Sequence, residues 1–508
     1  MSSGQGKGEE VKFDFGEFLS NAIRKNCDLS TLSYLINLKQ IGIVSPEIAR
    51  AIVDEISSQR SNLKLIASEN YSSLSVQSAM GNLLSDKYAE GVSGNRYYSG
   101  CENVDFIEDR AAELAKGLFG ADHAYVQPHS GADANLVAFW AILSKRIEMP
   151  AIERLKVNSV IKLDKNSWDD LRKELGNQKL LGMDLGSGGH LTHGYRPNVS
   201  GRMFDSYSYG VDPNTGRIDY DALDKQVQEV KPLILLAGYS AYPRLIDFSR
   251  LRKIADKVDA VLMVDMAHFS GLVAGEVLVG NHNPVPFADV VTSTTHKTLR
   301  GPRGGLVLCT KEFADVVDKG CPLVQGGPMP LIMAAKAVAF AEAQQKEFKE
   351  YANQIVVNAK ALAQRCLQNR MKVVTGGTEN HLLLLDVSIF GLTGRQGESA
   401  LRDVGLTVNR NALPNDKNGS WYTSGLRIGT PALTTLGMGV AEMEKIADLI
   451  AKTLKSTHPK ISAKGNSGSR YVLDDNIKKE VLQEVGDLLN DYTLYPSLDL
   501  SVLYDLVK

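Results

Sequence analysis

Thr294-Thr-His-Lys-Thr-Leu-Arg-Gly-Pro-Arg-Gly-Gly305 follows the apolar pair Val290-Val291 and leads into Gly305-Leu-Val-Leu308. Lys297 therefore lies just past one short apolar run, and a glycine-rich turn separates it from the next. Two more such runs precede it, Leu233-Ile-Leu-Leu236 and Val261-Leu-Met-Val264, with a helical stretch from Phe248 to Val258 between them. Runs this short and apolar throughout are what strands covered on both faces look like. Their alternation with amphipathic stretches predicts an α/β fold built on a mostly parallel sheet.

A lysine at the carboxyl end of such a strand points into the crevice where open α/β sheets bind ligands. A partly desolvated amine there can form a Schiff base with an aldehyde, although a lone lysine in a loop is ordinarily just solvated. Val264-Asp265-Met-Ala-His268 is the second element, and Asp265 again ends an apolar run. An acid in that place either caps the turn that follows or faces the pyridine nitrogen of pyridoxal phosphate, whose protonated ring is an electron sink. The third element, His129-Ser-Gly-Ala-Asp-Ala-Asn135, opens a helix. Small residues at a helix N-terminus let free N–H groups meet an anion, and they also make an ordinary cap.

The 508 residues, 43% of them hydrophobic, suffice for more than one core, and the length points to roughly two to three domains. Lysine and arginine total 57 against 59 acids, a net charge of −2. That balance gives no reason to expect nucleic acid or a membrane as partner. Cys27, Cys101, Cys309, Cys321 and Cys366 are widely spaced without a CxxC pair, so neither a zinc ribbon nor a disulfide framework is expected. No apolar run approaches ~18 residues, and the first residues have no apolar leader segment. A cytoplasmic protein is expected.

Residues 1–40 read as a peripheral N-terminal extension, disordered over the first ten, with one or two weak helices between Phe13 and Leu38. Residues 41–70 form an arm, in which Ser45 caps a helix starting at Pro46 and Ile48, Ile52 and Ile56 share a face. A large domain spans 71–345. Met333 to Gln354 reads as one long helix into a smaller α+β domain, 346–460, with strands at Leu382–Leu385 and Thr407–Val408. Residues 460–470 read as a linker within a C-terminal extension, 461–508, that ends in a helix at Val481–Leu489.

The lysine segment resembles the signature of serine hydroxymethyltransferases. So do Leu65-Ile-Ala-Ser-Glu-Asn-Tyr71, Lys87-Tyr-Ala-Glu-Gly91, Arg96-Tyr-Tyr98, Gly188-Gly-His-Leu-Thr-His-Gly194, Ser240-Ala-Tyr242 and Ser424-Gly-Leu-Arg-Ile-Gly-Thr-Pro431, in the family's order. The resemblance implies the aspartate-aminotransferase-like architecture, pyridoxal phosphate fold type I, and a homodimer with shared active sites. It implies transfer of the serine hydroxymethyl group to tetrahydrofolate, giving glycine, with tetrahydrofolate as co-substrate. The nearest rival is a folate-independent enzyme of the same fold, such as a threonine aldolase, which would need no pteridine pocket.

Carried over residue by residue, Lys297 matches the Schiff-base lysine and Asp265 the partner of the pyridine nitrogen. His190 matches the imidazole stacked on the ring, and His268 and Ser240 match groups near its phenolic oxygen. Ser130 and Gly131 match the phosphate cradle, and Gly326 and Gly327 a phosphate contact from the other subunit. His296 matches a residue that influences reaction specificity. Arg427 matches the clamp on the substrate carboxylate, a role that suits a planar guanidinium, and Ser68 matches a second contact. Tyr88, Tyr97, Tyr98 and Glu90 match residues around the substrate. Glu90 and Tyr98 would reach across from the partner, and Glu90 would move a proton at the hydroxymethyl group. Leu185, Gly189, His190, Leu191 and Asn411 match folate contacts, and Arg303, Gly419, Ser420 and Trp421 complete the substrate surroundings. No metal site is expected, because His190 and His193 stand in a glycine-flanked loop without a third ligand.

The chain also departs from the family. Ala132 stands where a hydroxyl residue is usual, which removes a hydrogen bond worth about 0.5–1.5 kcal/mol. Gly186-Ser187 replaces Ala-His, and Gly419-Ser-Trp421 differs from the usual folate-side sequence. A segment at about 146–178 lengthens the chain just before the glycine loop, and such insertions are most often surface excursions.

Overall fold

The computed structural model describes residues 16, 28–462 and 465–507. The reading of residues 1–10 as disordered lies outside them. The chain divides into a unit from residues 1–58 with 494–508 and a second unit from 59–493.

The second unit is built on a seven-stranded sheet. Its strands are β1 (His123–Tyr125), β2 (Lys179–Met183), β3 (Asp205–Tyr209), β4 (Ile234–Gly238), β5 (Val261–Asp265), β6 (Val290–Thr294) and β7 (Gly305–Cys309). Their spatial order is β1-β7-β6-β5-β4-β2-β3. Only β7 runs antiparallel to its neighbours. Successive side chains of a strand point to opposite faces. Ile234, Leu236, Val261 and Met263 accordingly pack on one side with Phe139, while Leu235, Ala237, Leu262 and Val264 pack on the other with Phe248. With both faces covered, no polar position interrupts the pattern, which is why these strands were legible.

Helix α1 (Gly131–Leu143) follows β1. The single helix expected over Met333–Gln354 is two, α2 (Pro330–Ala343) and α3 (Lys346–Gln368), broken where Gln345 is extended at φ −76° and ψ 155°. Neither proline nor glycine marks the break, so nothing in the sequence punctuates it. The bridging falls to α3 alone. Its Phe348, Ala352 and Ile355 join the core of the large sheet, and its Leu362, Ala363 and Cys366 join that of a smaller one. The smaller sheet comprises β8 (Lys372–Val373), β9 (Leu382–Asp386), β10 (Asn409–Asn411) and β11 (Gly425–Gly429), in the order β8-β9-β11-β10.

The described residues of the stretch read as a linker, 460–462 and 465–470, are strand. Thr457–Ser462 and Gly465–Leu473 pair as an antiparallel hairpin, held to the small sheet's surroundings by Gln396, whose Nε2 donates to the carbonyls of Ser467 and Arg470. A backbone that pairs with itself can carry a Lys/Ser/Gly-rich sequence, because its ladder is satisfied without apolar side chains. Nor is 461–508 one extension. The helix Asp475–Asp491 buries Val481, Val485, Leu488 and Leu489 in the small-sheet core, while residues 494–507 belong to the other unit.

In that other unit, Asp28 caps the helix Leu29–Val44 and a second helix begins at Pro46. The buried face of the second helix is Ala49, Val53 and Ile56. Ile48 is 54% exposed, so of the face expected through Ile48, Ile52 and Ile56 the last is buried, and the first two give way to Ala49 and Val53, one position on. The small Ala49 marks the close contact that a count of large apolar residues passes over. Segments far apart in sequence meet here: Thr31 Oγ1 donates to Ser497 Oγ at 2.6 Å, and Lys39 Nζ to the Leu506 carbonyl at 3.0 Å.

The added segment becomes a short helix (Met149–Arg154), a 3-10 turn and a helix (Lys165–Gly176) of whose residues Leu171 is buried.

Candidate active site

Because β2, β4, β5 and β6 run parallel, their carboxyl ends open on one edge. That edge receives the loop 184–197 after β2, Ser240 after β4, Asp265 at the end of β5 and Lys297 three residues past β6. Residues far apart in sequence are thereby brought together.

Asp265 is 7% exposed. It accepts from Asn135 Nδ2 at 2.9 Å and from the Ala267 N–H at 3.0 Å, and lies 3.3 Å from His193 Nε2. His193 Nδ1 accepts the His190 N–H at 3.3 Å, so Nε2 is the nitrogen that carries a proton toward the carboxylate. Burial alone would raise the Asp265 pKa. The hydrogen bond and charge of His193, with help from His190 and Asn135, outweigh it and hold the carboxyl below its usual range. Asp265 is thus an ionised acid in a dry site.

Lys297 is half-buried, and its Nζ donates to Thr294 Oγ1 at 3.1 Å. Burial lowers its pKa to about 8 against the opposing pull of Asp265, and Arg427 and Arg303 lower it further. Its carbonyl accepts from Asn70 Nδ2 at 2.9 Å, which fixes the backbone that carries the amine. His190 Nδ1 lies 2.8 Å from Thr192 Oγ1. Burial takes its pKa to about 4, so its ring is neutral near pH 7. His268 is buried, and its Nδ1 lies 3.2 Å from His381 Nε2. Burial, aided by the positive charges of Lys297 and Arg427, pushes His268 well below the imidazole range. His296 Nδ1 is buried without a hydrogen-bond partner, and burial takes its pKa to about 3.

Arg427, on β11, donates Nε to Asn409 Oδ1 at 3.1 Å and Nη1 to the Ser240 carbonyl at 2.8 Å. Burial lowers its pKa to about 10, and none of the ion pairs among the described residues includes it. A half-buried guanidinium without an acid is poised for a carboxylate ligand. Ser68 follows Ala67, against which Gly429 packs so closely that a Cβ there would lie 2.4 Å from the Ala67 Cα.

Ser130 caps α1 by accepting from the Asp133 N–H at 3.1 Å. At Gly131 a Cβ would meet Thr294 Cγ2 at 2.6 Å. The arrangement fits pyridoxal phosphate: an ionised acid for a ring nitrogen, an amine of depressed pKa for an aldehyde, and a helix N-terminus beside them for a phosphate.

In the loop 184–197, Gly188 adopts φ +109°, and a Cβ there would meet the Ala241 carbonyl carbon at 2.7 Å. The turn therefore presses on the segment carrying Ser240, whose N–H donates to the Gly188 carbonyl at 2.7 Å. Leu185 and Leu191 are exposed beside it, and Gly189 is buried. Leu185, Gly186, His190, Tyr195, Arg196 and Tyr207 line part of a cavity of about 520 Å³, to which the segment 146–178 contributes no lining residue. Asn411 donates to the neighbouring Ala412 carbonyl. Arg303 is exposed. Trp421, in the short helix Gly419–Tyr422 with Ser420, is 63% exposed, with the guanidinium groups of Arg395 and Arg410 at 5.4 and 5.7 Å from its ring centre.

Tyr88, Tyr98 and Gly327 come together, and the Gly327 carbonyl lies 3.0 Å from Nε2 of His129, the residue before Ser130. Tyr88 and Tyr98 rings lie 4.8 Å apart, and a Cβ at Gly327 would touch the Tyr88 ring at 3.3 Å. Arg96 donates to the carbonyls of Ala89 and Gly91 at 3.0 and 2.8 Å, bracketing Glu90. Glu90 and Tyr88 raise the Tyr98 pKa after burial.

Four members of this network escaped the sequence reading: Asn135, His193, His381 and Asn70. The His190/His193 spacing was visible, but as a discounted metal motif rather than as a partner for an acid 72 residues away.

A sheet of this order that spends adjacent strand ends on one acid and one amine belongs to the pyridoxal-phosphate enzymes of fold type I. The sequence model of serine hydroxymethyltransferase matches residues 41–153 and 174–450, leaving unmatched a stretch inside the added segment. This chain belongs to the serine hydroxymethyltransferase family. Serine hydroxymethyltransferase of Treponema pallidum (strain Nichols) is 59% identical over 483 residues, covering 95% of this chain and 84% of its own. That of Salinispora tropica is 58% identical over 469 residues, covering 92% and 98%. The Cutibacterium acnes protein is 55% identical over 471 residues, covering 92% and 96%.

Proposed function

We propose that the chain reversibly transfers the hydroxymethyl group of serine to tetrahydrofolate, giving glycine and 5,10-methylenetetrahydrofolate, a step of one-carbon metabolism. The observation that carries this reading is Arg427, a half-buried guanidinium with no acid partner among the described residues, in one site with the ionised Asp265 and the low-pKa Lys297. Bound pyridoxal phosphate supplies the electron sink for bond breaking at the substrate's α-carbon. Lys297 would hold its aldehyde carbon, Asp265 its ring nitrogen, and Ser130 with Gly131 its phosphate. Arg427 and Ser68 orient the substrate carboxylate. The neutral His190 covers the ring without adding charge. Leu185, Gly189, Leu191 and Asn411 receive the pteridine.

In the direct test, glycine is incubated with the loaded enzyme in D2O. Exchange of its α-proton should be stimulated by tetrahydrofolate, and an exchange rate indifferent to the folate would favour the aldolase reading. Arg427→Ala should weaken serine binding by about 2–5 kcal/mol, roughly 30-fold to several-thousand-fold, with cofactor content unchanged. Serine affinity equal to wild type would place the carboxylate elsewhere.

The second part of the reading is a homodimer in which Glu90 and Tyr98 of one copy complete the other's site, Glu90 moving the proton of the hydroxymethyl group. Its support is the exposure of Tyr97 (72%), Leu83 (80%) and Phe106 (72%), apolar surface of the kind a second copy covers. Mixing inactive Lys297→Ala chains with inactive Glu90→Gln chains should restore activity, because each mixed dimer holds one intact site. A mixture as dead as its parents would confine the site to one chain.

Cys101, Cys309, Cys321 and Cys366 are free, and among the described residues no helix is long and apolar enough to cross a membrane. A reducing compartment, the cytoplasm, fits these thiols. The segment 146–178 is read as a surface excursion, since it lines none of the cavity beside Leu185. Replacing residues 157–176 by a short Gly/Ser bridge should leave tetrahydrofolate affinity and folate-independent cleavage of 3-phenylserine unchanged. A selective loss of folate affinity would make the segment part of the folate mouth.

A further inference from the structure

We propose that Lys336 is a positioning residue of the cofactor site, tying the phosphate-binding turn to the loop that carries Lys297; this rests on the pyridoxal-phosphate reading above. Lys336 lies on α2 and is 1% exposed. Its Nζ donates to the carbonyls of Val126, Pro128 and Gly305 at 2.5, 2.9 and 2.8 Å. Burial pulls its pKa down to about 7 against the charges of Glu108 and Asp133, and the three acceptors favour the ammonium, whose three protons they satisfy where a neutral amine has two. None of the ion pairs among the described residues includes this lysine. A buried charge without a counter-ion is costly, and an apolar side chain of similar volume would serve packing better. The lysine therefore supplies something other than packing.

The three carbonyls show what that is. Val126 and Pro128 belong to the backbone that leaves β1 and becomes Ser130-Gly131, the candidate phosphate cradle. Gly305 begins β7, directly after the loop from Lys297. The Gly305 N–H also donates to the Pro128 carbonyl at 2.9 Å, and a Cβ at Gly305 would meet the Ser130 carbonyl oxygen at 2.1 Å. The two segments thus cross at backbone contact, with carbonyl oxygens converging on one point. Such dipoles repel one another unless a cation lies among them. On its far side the Lys297 loop is closed by Thr295, whose Oγ1 donates to the Pro302 carbonyl at 2.6 Å and whose N–H donates to the Gly304 carbonyl at 3.1 Å. The ammonium holds the cradle and the reactive amine in one register while touching neither cofactor nor substrate.

Two variants test this. Lys336→Met removes the charge and keeps the volume. Gly304→Ala leaves the lysine in place but puts a Cβ 2.5 Å from its Cε, pushing the amine off its carbonyls. For both, apoprotein is titrated with pyridoxal phosphate by visible absorbance, serine KM and kcat are measured on loaded enzyme, and the apo forms are melted. The expected result is cofactor affinity and kcat lowered by about tenfold to a hundredfold, the scale of a misplacement of about 1 Å. Serine KM should stay near wild type, because Arg427 is untouched. Unchanged cofactor affinity in Lys336→Met, or apo forms that fail to fold, would overturn the proposal, the last by making Lys336 a structural brace. Wild-type protein that takes up no pyridoxal phosphate would instead sink the reading underneath.

Discussion

Replacing Lys297 by alanine should abolish repeated turnover and leave the fold intact. The side chain contributes one hydrogen bond, to Thr294 Oγ1. The bonds that shape the loop involve backbone atoms alanine retains, such as the Lys297 carbonyl with Asn70. The melting temperature of the apoprotein should therefore barely move. The rate is another matter, because release of product and return to the resting state both need an amine at this point. Losing a positioned proton-transfer group costs about 10²–10⁴-fold, and losing the attachment point as well should exceed that. A variant with an unimpaired rate over many cycles would remove Lys297 from the mechanism. A pH dependence follows for wild type. The attacking species is the neutral amine, and burial lowers its pKa to about 8. The rate at which apoprotein takes up pyridoxal phosphate should rise with pH and level off above about 8. An ordinary lysine amine would keep gaining up to about 10.4.

The middle of the large sheet was legible because its strands Ile234–Gly238, Val261–Asp265, Val290–Thr294 and Gly305–Cys309 are buried throughout, so their short apolar runs stand out, whereas the edge strand Asp205–Tyr209 is polar and largely exposed and made no such run. Strand ends mark where such a sheet opens, and the apolar runs before Asp265 and Lys297 are enough to put both residues there. What stayed hidden depends on contacts that no local pattern records. Ala49 rather than Ile48 faces the core because small residues mark close approach, and the break at Gln345 carries no punctuating residue. Asn135 and His381 are ordinary residues in their own windows. They acquire roles only because folding brings Asn135 to Asp265 across 130 positions and His381 to His268 across 113. Lys336 is the extreme case: inside an Ala-rich helix it reads as a solvated charge, and in the structure it is among the largest fully buried side chains.

The same network makes Asp265→Asn a severe change for chemistry and a moderate one for the empty protein. Oδ1 accepts from the Ala267 N–H, and Oδ2 faces the Asn135 amide and His193 Nε2. An asparagine that keeps its oxygen on Ala267 turns its own NH2 toward two donors. Asn135 cannot rotate to accept it without losing Thr292 Oγ1, which donates to its oxygen at 2.5 Å. Buried donors left unpaired cost about 1–3 kcal/mol, so the apo form should melt lower. That penalty has a pH signature. The carboxyl is held below its unfolded value, so its stabilising contribution is complete above about 3.9 and fades as pH falls through the lower folded value. The gap between wild type and variant should close in the same direction. For the loaded enzyme the loss is electrostatic. A neutral amide cannot oppose the charge of a protonated pyridine ring, and losing one preorganised group aimed at developing charge costs about 10²–10³-fold. The phosphate cradle and Lys297 stay in place, so cofactor content should fall much less than α-proton exchange of glycine. Exchange at the wild-type rate in Asp265→Asn would leave this acid as the cap of the turn at Ala267 and nothing more.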